Sequence, residues 1–308
     1  MDWKPVKIMK LLLTVVTLFI YSNYGVDSRS PSKIVGGKRV DITEAPFAVT
    51  IRHNTTIARC GGVIIGPKWI LTAAHCFPLN TTDYQRDPRW FRVVPGVNAY
   101  SPDAKFYKIK EVYSHPDFEP DVDILYEIRA DIAVIELEEE IPFDDKSSAI
   151  ELGRDIVPND TMAMIYGWGL KDRPTKSFTT SLHGLPVKIP SRHQCLHMQY
   201  GKPHPYDQMC FYNWNNGTSC GGDSGGPVVA YNKVIGIISI ARIDCTTVTP
   251  PRATYVYFYK LWIEKIMAGT GTAVKISDGW GNDVKKSSPT PKPTREPRIY
   301  DELSYYEK

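Results

Sequence analysis

Short apolar runs separated by glycine, proline and polar residues dominate the middle of the chain. Val63-Ile64-Ile65, Trp69-Ile70-Leu71, Ile132 to Leu137, Met162 to Tyr166, Val228 to Tyr231 and Val234 to Ile238 are each a few residues long and rich in β-branched side chains. Runs of this length and composition read as strands. Many short strands with turn residues between them predict an all-β architecture, an antiparallel barrel or sandwich. One segment has a different period: Phe258, Leu261, Trp262, Ile263 and Ile266 recur at helical spacing and predict a single closing helix. Gly269-Thr270-Gly271 ends that pattern.

The two ends follow neither period. Lys4, Lys7 and Lys10 precede the apolar run Leu11 to Ile20, which falls short of the roughly 17 residues needed to cross a bilayer. With the small and polar residues of Ser22 to Gly25, residues 1–25 read as a cleaved secretory signal rather than a stable membrane anchor. The serine-rich, aperiodic residues 26–33 read as a short propeptide, and 34–268 as the folded domain. Residues 269–308 shift toward Lys, Pro, Ser and Thr. Pro289, Pro291, Pro293 and Pro297 stop any helix from persisting there, so this stretch reads as a disordered tail.

A chain of 308 residues with 42% hydrophobic content can bury a substantial core. Its net charge of +3, with lysine and arginine scattered, argues against a nucleic-acid partner. In a secreted chain the six cysteines are disulfide candidates rather than metal ligands, and sequence alone allows fifteen pairings. The sequons at Asn54, Asn80, Asn159 and Asn216 mark glycosylation candidates. No His-Glu-x-x-His cluster or calcium loop is evident, so the expectation is no metal and no cofactor.

The chemistry concentrates at Gly222-Asp223-Ser224-Gly225-Gly226-Pro227, which places a serine on a tight glycine-flanked turn. A hydroxyl is a poor nucleophile at neutral pH. It needs a base, an acid to orient that base, and donors aimed at the developing oxyanion. His75, in Leu71-Thr72-Ala73-Ala74-His75-Cys76, and Asp131, opening Asp131-Ile132-Ala133-Val134-Ile135, supply the first two in the order His, Asp, Ser.

Together with Ile34-Val35-Gly36-Gly37, these segments resemble the trypsin/chymotrypsin family of serine proteases. The resemblance implies two six-stranded antiparallel β-barrels with a C-terminal helix, and a His75/Asp131/Ser224 triad in the cleft between them. It implies an oxyanion hole from the backbone N–H groups of Gly222 and Ser224. It selects the disulfides Cys60 with Cys76, Cys195 with Cys210, and Cys220 with Cys245. It further implies a zymogen cleaved between Lys33 and Ile34 by an upstream trypsin-like protease, with the new Ile34 ammonium pairing with Asp223. The implied partners are protein or peptide substrates and protein inhibitors.

The substrate pocket departs from the family pattern. Thr218 stands at the floor where a trypsin has an aspartate, so basic side chains find no counter-charge there. The wall reads Ser239-Ile240-Ala241, and Pro251 takes the place of a second wall glycine. The expectation is a shallow pocket preferring small or apolar residues, with Asp244 near the rim and solvated. The leading reading is a secreted serine endopeptidase. The alternative is a catalytically weak or silent binding protein on a protease scaffold, its pocket occluded.

Overall fold

The computed structural model describes residues 34–53, 57–77, 88–96, 104–118, 128–170, 181–201, 204–242 and 244–275. The expected signal, the expected propeptide with Lys33, the sequons at Asn54 and Asn80 and residues 276–308 of the expected 269–308 tail lie outside the described residues. All the described residues belong to one compact unit within Ser32–Lys308.

The first strand among the described residues is the two-residue β1 (Lys38–Arg39), which joins the second of two sheets. The first sheet is built from β2 (Ala48–His53), β3 (Ile57–Gly66), β4 (Trp69–Thr72), β5 (Phe91–Pro95), β6 (Tyr107–Ser114) and β7 (Ala133–Leu137). Pairing of β6 with β7 closes these six into an antiparallel barrel. Burial alternates along β6, with Tyr107, Ile109, Val112 and Ser114 inward, as a strand with one solvated face requires.

The second sheet takes β8 (Glu151–Leu152), β9 (Thr161–Gly167), β10 (His183–Ile189), β11 (Gln208–Cys210), β12 (Pro227–Ala230), β13 (Lys233–Ile240) and β14 (Arg252–Tyr255). Six of them run in the order β10-β9-β12-β13-β14-β11, with β1 added beyond β10 and β8 against β13. The path curls back on itself through an isolated antiparallel bridge between Lys188 of β10 and Tyr212 just past β11. A last short strand, β15 (Val274–Lys275), adds to the rim of the first barrel beside β6.

The nearly unbroken apolar run of β13 has a structural cause. Val234 and Ile237 pack into the core of the first barrel, while Ile235 and Ile238 pack into that of the second sheet. A strand buried on both faces has no use for alternation.

Two α-helices complete the described fold: α1 (Arg192–Met198) and α2 (Val256–Met267). The expected closing helix is α2, but its inward stripe is Val256, Tyr259, Ile263 and Ile266, and Leu261 faces solvent at 64% exposure. Backbone bonds from Gly269 N to Ile266 O and from Thr270 N to Lys265 O, both 2.9 Å, terminate it where the glycine pattern predicts. The sequence pattern gives no sign of α1, because Cys195 is its one buried residue and an apolar period never develops. A reciprocal box between Ser191 and Gln194 starts it.

Three disulfides join Cys60 to Cys76, Cys195 to Cys210 and Cys220 to Cys245, the pairing the family resemblance implies. Their Cα separations of 6.3, 5.8 and 5.2 Å lie in the usual window. No helix among the described residues is long and apolar enough to cross a membrane.

Candidate active site

Asp131 stands two residues before β7 and is fully buried. Its carboxylate collects three donors. The backbone N–H of His75 donates to Oδ1 at 2.9 Å, His75 Nδ1 lies 2.7 Å from Oδ2, and the Ser239 hydroxyl donates to Oδ2 at 2.5 Å. Burial by itself would push this carboxyl up, but His75 beside it and the hydrogen bonds from His75 and Ser239 hold it below the ordinary value. An ionised Asp131 requires the proton on His75 Nδ1, which makes Nε2 the basic nitrogen of the ring.

The backbone around Asp131 is held as firmly as its side chain. Ala130 adopts a left-handed φ of 48°, unusual for a residue with a Cβ. Its N–H donates to Asp207 Oδ2 at 2.8 Å, and the Tyr259 hydroxyl of α2 donates to the same oxygen at 2.5 Å. Thr254 Oγ1 donates to the carbonyl of Asp131 itself at 3.0 Å.

His75 sits in a single helical turn, Ala74–Cys76, directly after β4. The Cys60–Cys76 disulfide ties that turn to β3. On β3, Gly61 donates its N–H to the Ser224 carbonyl at 2.7 Å and accepts from Thr72 Oγ1 at 2.9 Å. Ser224 is thereby pinned by its backbone to the strand that carries the histidine's disulfide.

The serine turn is closed by Asp223 N to Cys220 O at 3.0 Å, Gly226 N to Asp223 O at 2.9 Å and Gly225 N to Ile238 O at 2.7 Å. Gly222, two positions before the serine, is half-buried and has a φ of 94°, a backbone conformation that a side chain would strain. Asp223 is fully buried and accepts from Gly169 N at 2.8 Å and Cys220 N at 2.9 Å. Burial pushes its carboxyl up to about 7, against the downward pull of those two N–H groups. A Cβ on Gly169 would overlap the carboxylate, so glycine is required for this approach. Ile34 is buried in the core of the second sheet, and Val35 O accepts from Thr218 N at 2.8 Å.

The structure places the expected pocket residues unevenly. Thr218 is buried and bridged to Val35, and beside it the Ser219 hydroxyl is buried without a hydrogen-bond partner among the described residues. Pro251 is buried, its carbonyl accepting from Phe211 N at 3.2 Å, and Ala241 is half-buried. Ser239 contributes its hydroxyl to Asp131 rather than to the pocket, and Gln208 Nε2 approaches that hydroxyl at 3.5 Å. Asp244 is exposed but gripped by Arg242 through two contacts of 2.9 and 2.7 Å, which hold its carboxyl well below the usual carboxylate range. The sequons at Asn159 and Asn216 are exposed.

Sequence reasoning missed the hydroxyl role of Ser239, the Gly61 anchor, Thr254 and Asp207. Ser239, Gly61 and Thr254 act across more than a hundred positions of sequence and Asp207 across 77, rather than within a motif; only the wall segment Ser239-Ile240-Ala241 drew notice in the sequence, and there for the pocket rather than for Asp131.

The match to known proteins agrees with this geometry. The family model described as Trypsin matches residues 34–263. A trypsin of Simulium vittatum is 30% identical over 247 residues, covering 74% of this chain and 94% of that protein. Trypsin 5G1 of Aedes aegypti is 30% identical over 215 residues, covering 68% of this chain and 76% of its own length. Hypodermin-A of Hypoderma lineatum is 29% identical and covers 74% and 84%. Among solved structures, neuropsin, a serine protease of mouse brain, superposes with a TM-score of 0.66 at 26% identity, covering 75% of this chain and 98% of its own. The chain belongs to the trypsin family and is a serine endopeptidase.

Proposed function

We propose that this chain is a secreted zymogen whose active form cleaves peptide bonds after small or apolar residues. The observation that carries the mechanism is the bond from His75 Nδ1 to the buried Asp131, made beside a serine pinned by its own backbone. Ser224 Oγ attacks the scissile carbonyl and gives its proton to His75 Nε2. The carbonyl oxygen, now negative, is met by the N–H groups of Gly222 and Ser224. His75 then passes the proton to the leaving amine, and water repeats the cycle on the acyl-enzyme.

The specificity reading rests on the neutral, buried hydroxyls at Thr218 and Ser219, the bulk of Pro251 and Ala241, and the commitment of Asp244 to Arg242. A peptide library with every residue at the position before the cut should show small and apolar residues preferred over Lys and Arg. A strong arginine preference would overturn this reading. An activated protein silent toward the whole library would favour the alternative, a protease-like binding protein whose pocket is filled by Ala241 and Pro251.

Asp223 supports the zymogen reading. A carboxyl raised to about 7 binds its proton more tightly folded than unfolded, where the value is about 4. Ionising it across that interval therefore costs stability, and the uncleaved chain should lose stability as pH rises from about 4 to 7. Cleavage after Lys33 supplies an Ile34 ammonium that offsets the buried charge. Lys33→Gln should block activation by a trypsin-like protease, and Asp223→Asn should remove the pH-dependent loss while weakening the cleaved enzyme. Because the pocket receives lysine poorly, purified zymogen alone should not generate an Ile34 terminus. Rapid, concentration-dependent self-cleavage that Ser224→Ala eliminates would refute the need for a second protease.

A further inference from the structure

Helix α1 carries an arrangement that serves neither the core nor the proposed catalysis. His193 and His197 stand four positions apart, one turn of helix, and both are exposed. Their rings lie with centroids 4.6 Å apart and planes inclined at 71°. Residues at this spacing share one helix face, and two histidines four apart on a helix are a spacing that can hold a single metal ion. We propose that His193 and His197 form a chelating site for a borderline divalent transition metal, with water completing the coordination.

The scaffold is what makes the pair effective. A seven-residue helix in isolation would fray, and two freely moving histidines would lose much of the advantage of binding together. Here the first turn is fixed by the Ser191–Gln194 box, the middle by the Cys195–Cys210 disulfide, and the end by Gln199, which is buried and donates from Nε2 to Pro250 O at 3.4 Å. The neighbouring cation is directed elsewhere: Arg192 donates to the carbonyls of His204 and Pro205 and stacks 3.9 Å over the Tyr206 ring. His204 belongs to that buried group and not to the pair, and burial together with Arg192 and Arg252 lowers it to about 4.

The donor chemistry selects the metal. Two neutral imidazoles suit Cu2+, Ni2+ and Zn2+, with Cu2+ held most tightly, and give Ca2+ and Mg2+ nothing they prefer. The sequence shows the spacing Arg192-His193-Gln194-Cys195-Leu196-His197 but not the helix, and without the helix the two rings share no face.

The test uses untagged full-length chain and Cu2+ alone, titrated calorimetrically in a non-coordinating buffer. One Cu2+ should bind per chain and remain bound when Ca2+ or Mg2+ is added in excess. His193→Gln and His197→Gln should each weaken it roughly tenfold or more, because the second ligand no longer acts at high effective concentration. The electron paramagnetic resonance spectrum of the Cu2+ form should show two equatorial nitrogens, reduced to one in either variant. Both side chains are exposed, so an unchanged melting temperature will verify that the variants fold. Cu2+ bound as tightly by either variant as by the parent, or a two-nitrogen spectrum that survives the substitutions, would overturn the proposal. Neither measurement depends on peptidase activity.

Discussion

Ser224→Ala is expected to lower the kcat of the activated enzyme by roughly a millionfold, the loss typical of removing the nucleophile from a triad. The fold should be indifferent to the change. The bonds that shape this turn run through the backbone of residues 220–226 and the Asp223 carboxylate, and the Ser224 carbonyl keeps its partner at Gly61 N whatever the side chain. Melting temperature and all three disulfides should therefore be unaltered. The same variant should resist a serine-directed phosphonate that labels the parent, because labelling needs both the hydroxyl and a working base. Retention of more than a trace of peptidase activity would place the nucleophile elsewhere.

The second large effect is expected at Asp131. Asparagine there has nearly the same shape but only one acceptor oxygen, while three donors converge on the carboxylate: His75 N–H, His75 Nδ1 and the Ser239 hydroxyl. Its NH2 group would face a donor, and His75 would relieve the conflict by moving its proton to Nε2. The lone pair needed to take the serine proton would then point at residue 131. A loss of about ten-thousand-fold in kcat with KM nearly unchanged is the expected result for this tautomer error. Steady-state kinetics on purified, activated variant will check it. A loss under about tenfold would show that Asp131 does not set the tautomer.

Much of this could be read from residue order. The strand runs at 63–65, 69–71, 132–137, 162–166, 228–231 and 234–238 fall in or against strands of the structure, because β-branched runs between turn residues have few other uses. The cysteine pairing and the His75–Asp131 contact followed the family resemblance, whose motifs are local in sequence. What stayed hidden depends on contacts with no local signature. Leu261 fits a helical period as well as Ile263 does, and only the packing of α2 reveals that it points outward. Helix α1 is held by caps and a disulfide rather than by an apolar stripe. Asp207 is one acid among many until the fold brings it to the N–H of Ala130.

Asp131 leads into a strand of the first barrel and is held there by His75, yet the rest of what secures it comes from the other half of the domain: Ser239 on β13, Thr254 on β14, and Asp207 and Tyr259 from β11's approach and α2. The site thus behaves as a logical conjunction, true only when both halves are folded and docked. A chain emerging from synthesis, or one half-unfolded by heat, carries the serine and the histidine without the means to make them dangerous. Chemical harmlessness before assembly is in this way a property of the topology, separate from any safeguard a propeptide provides.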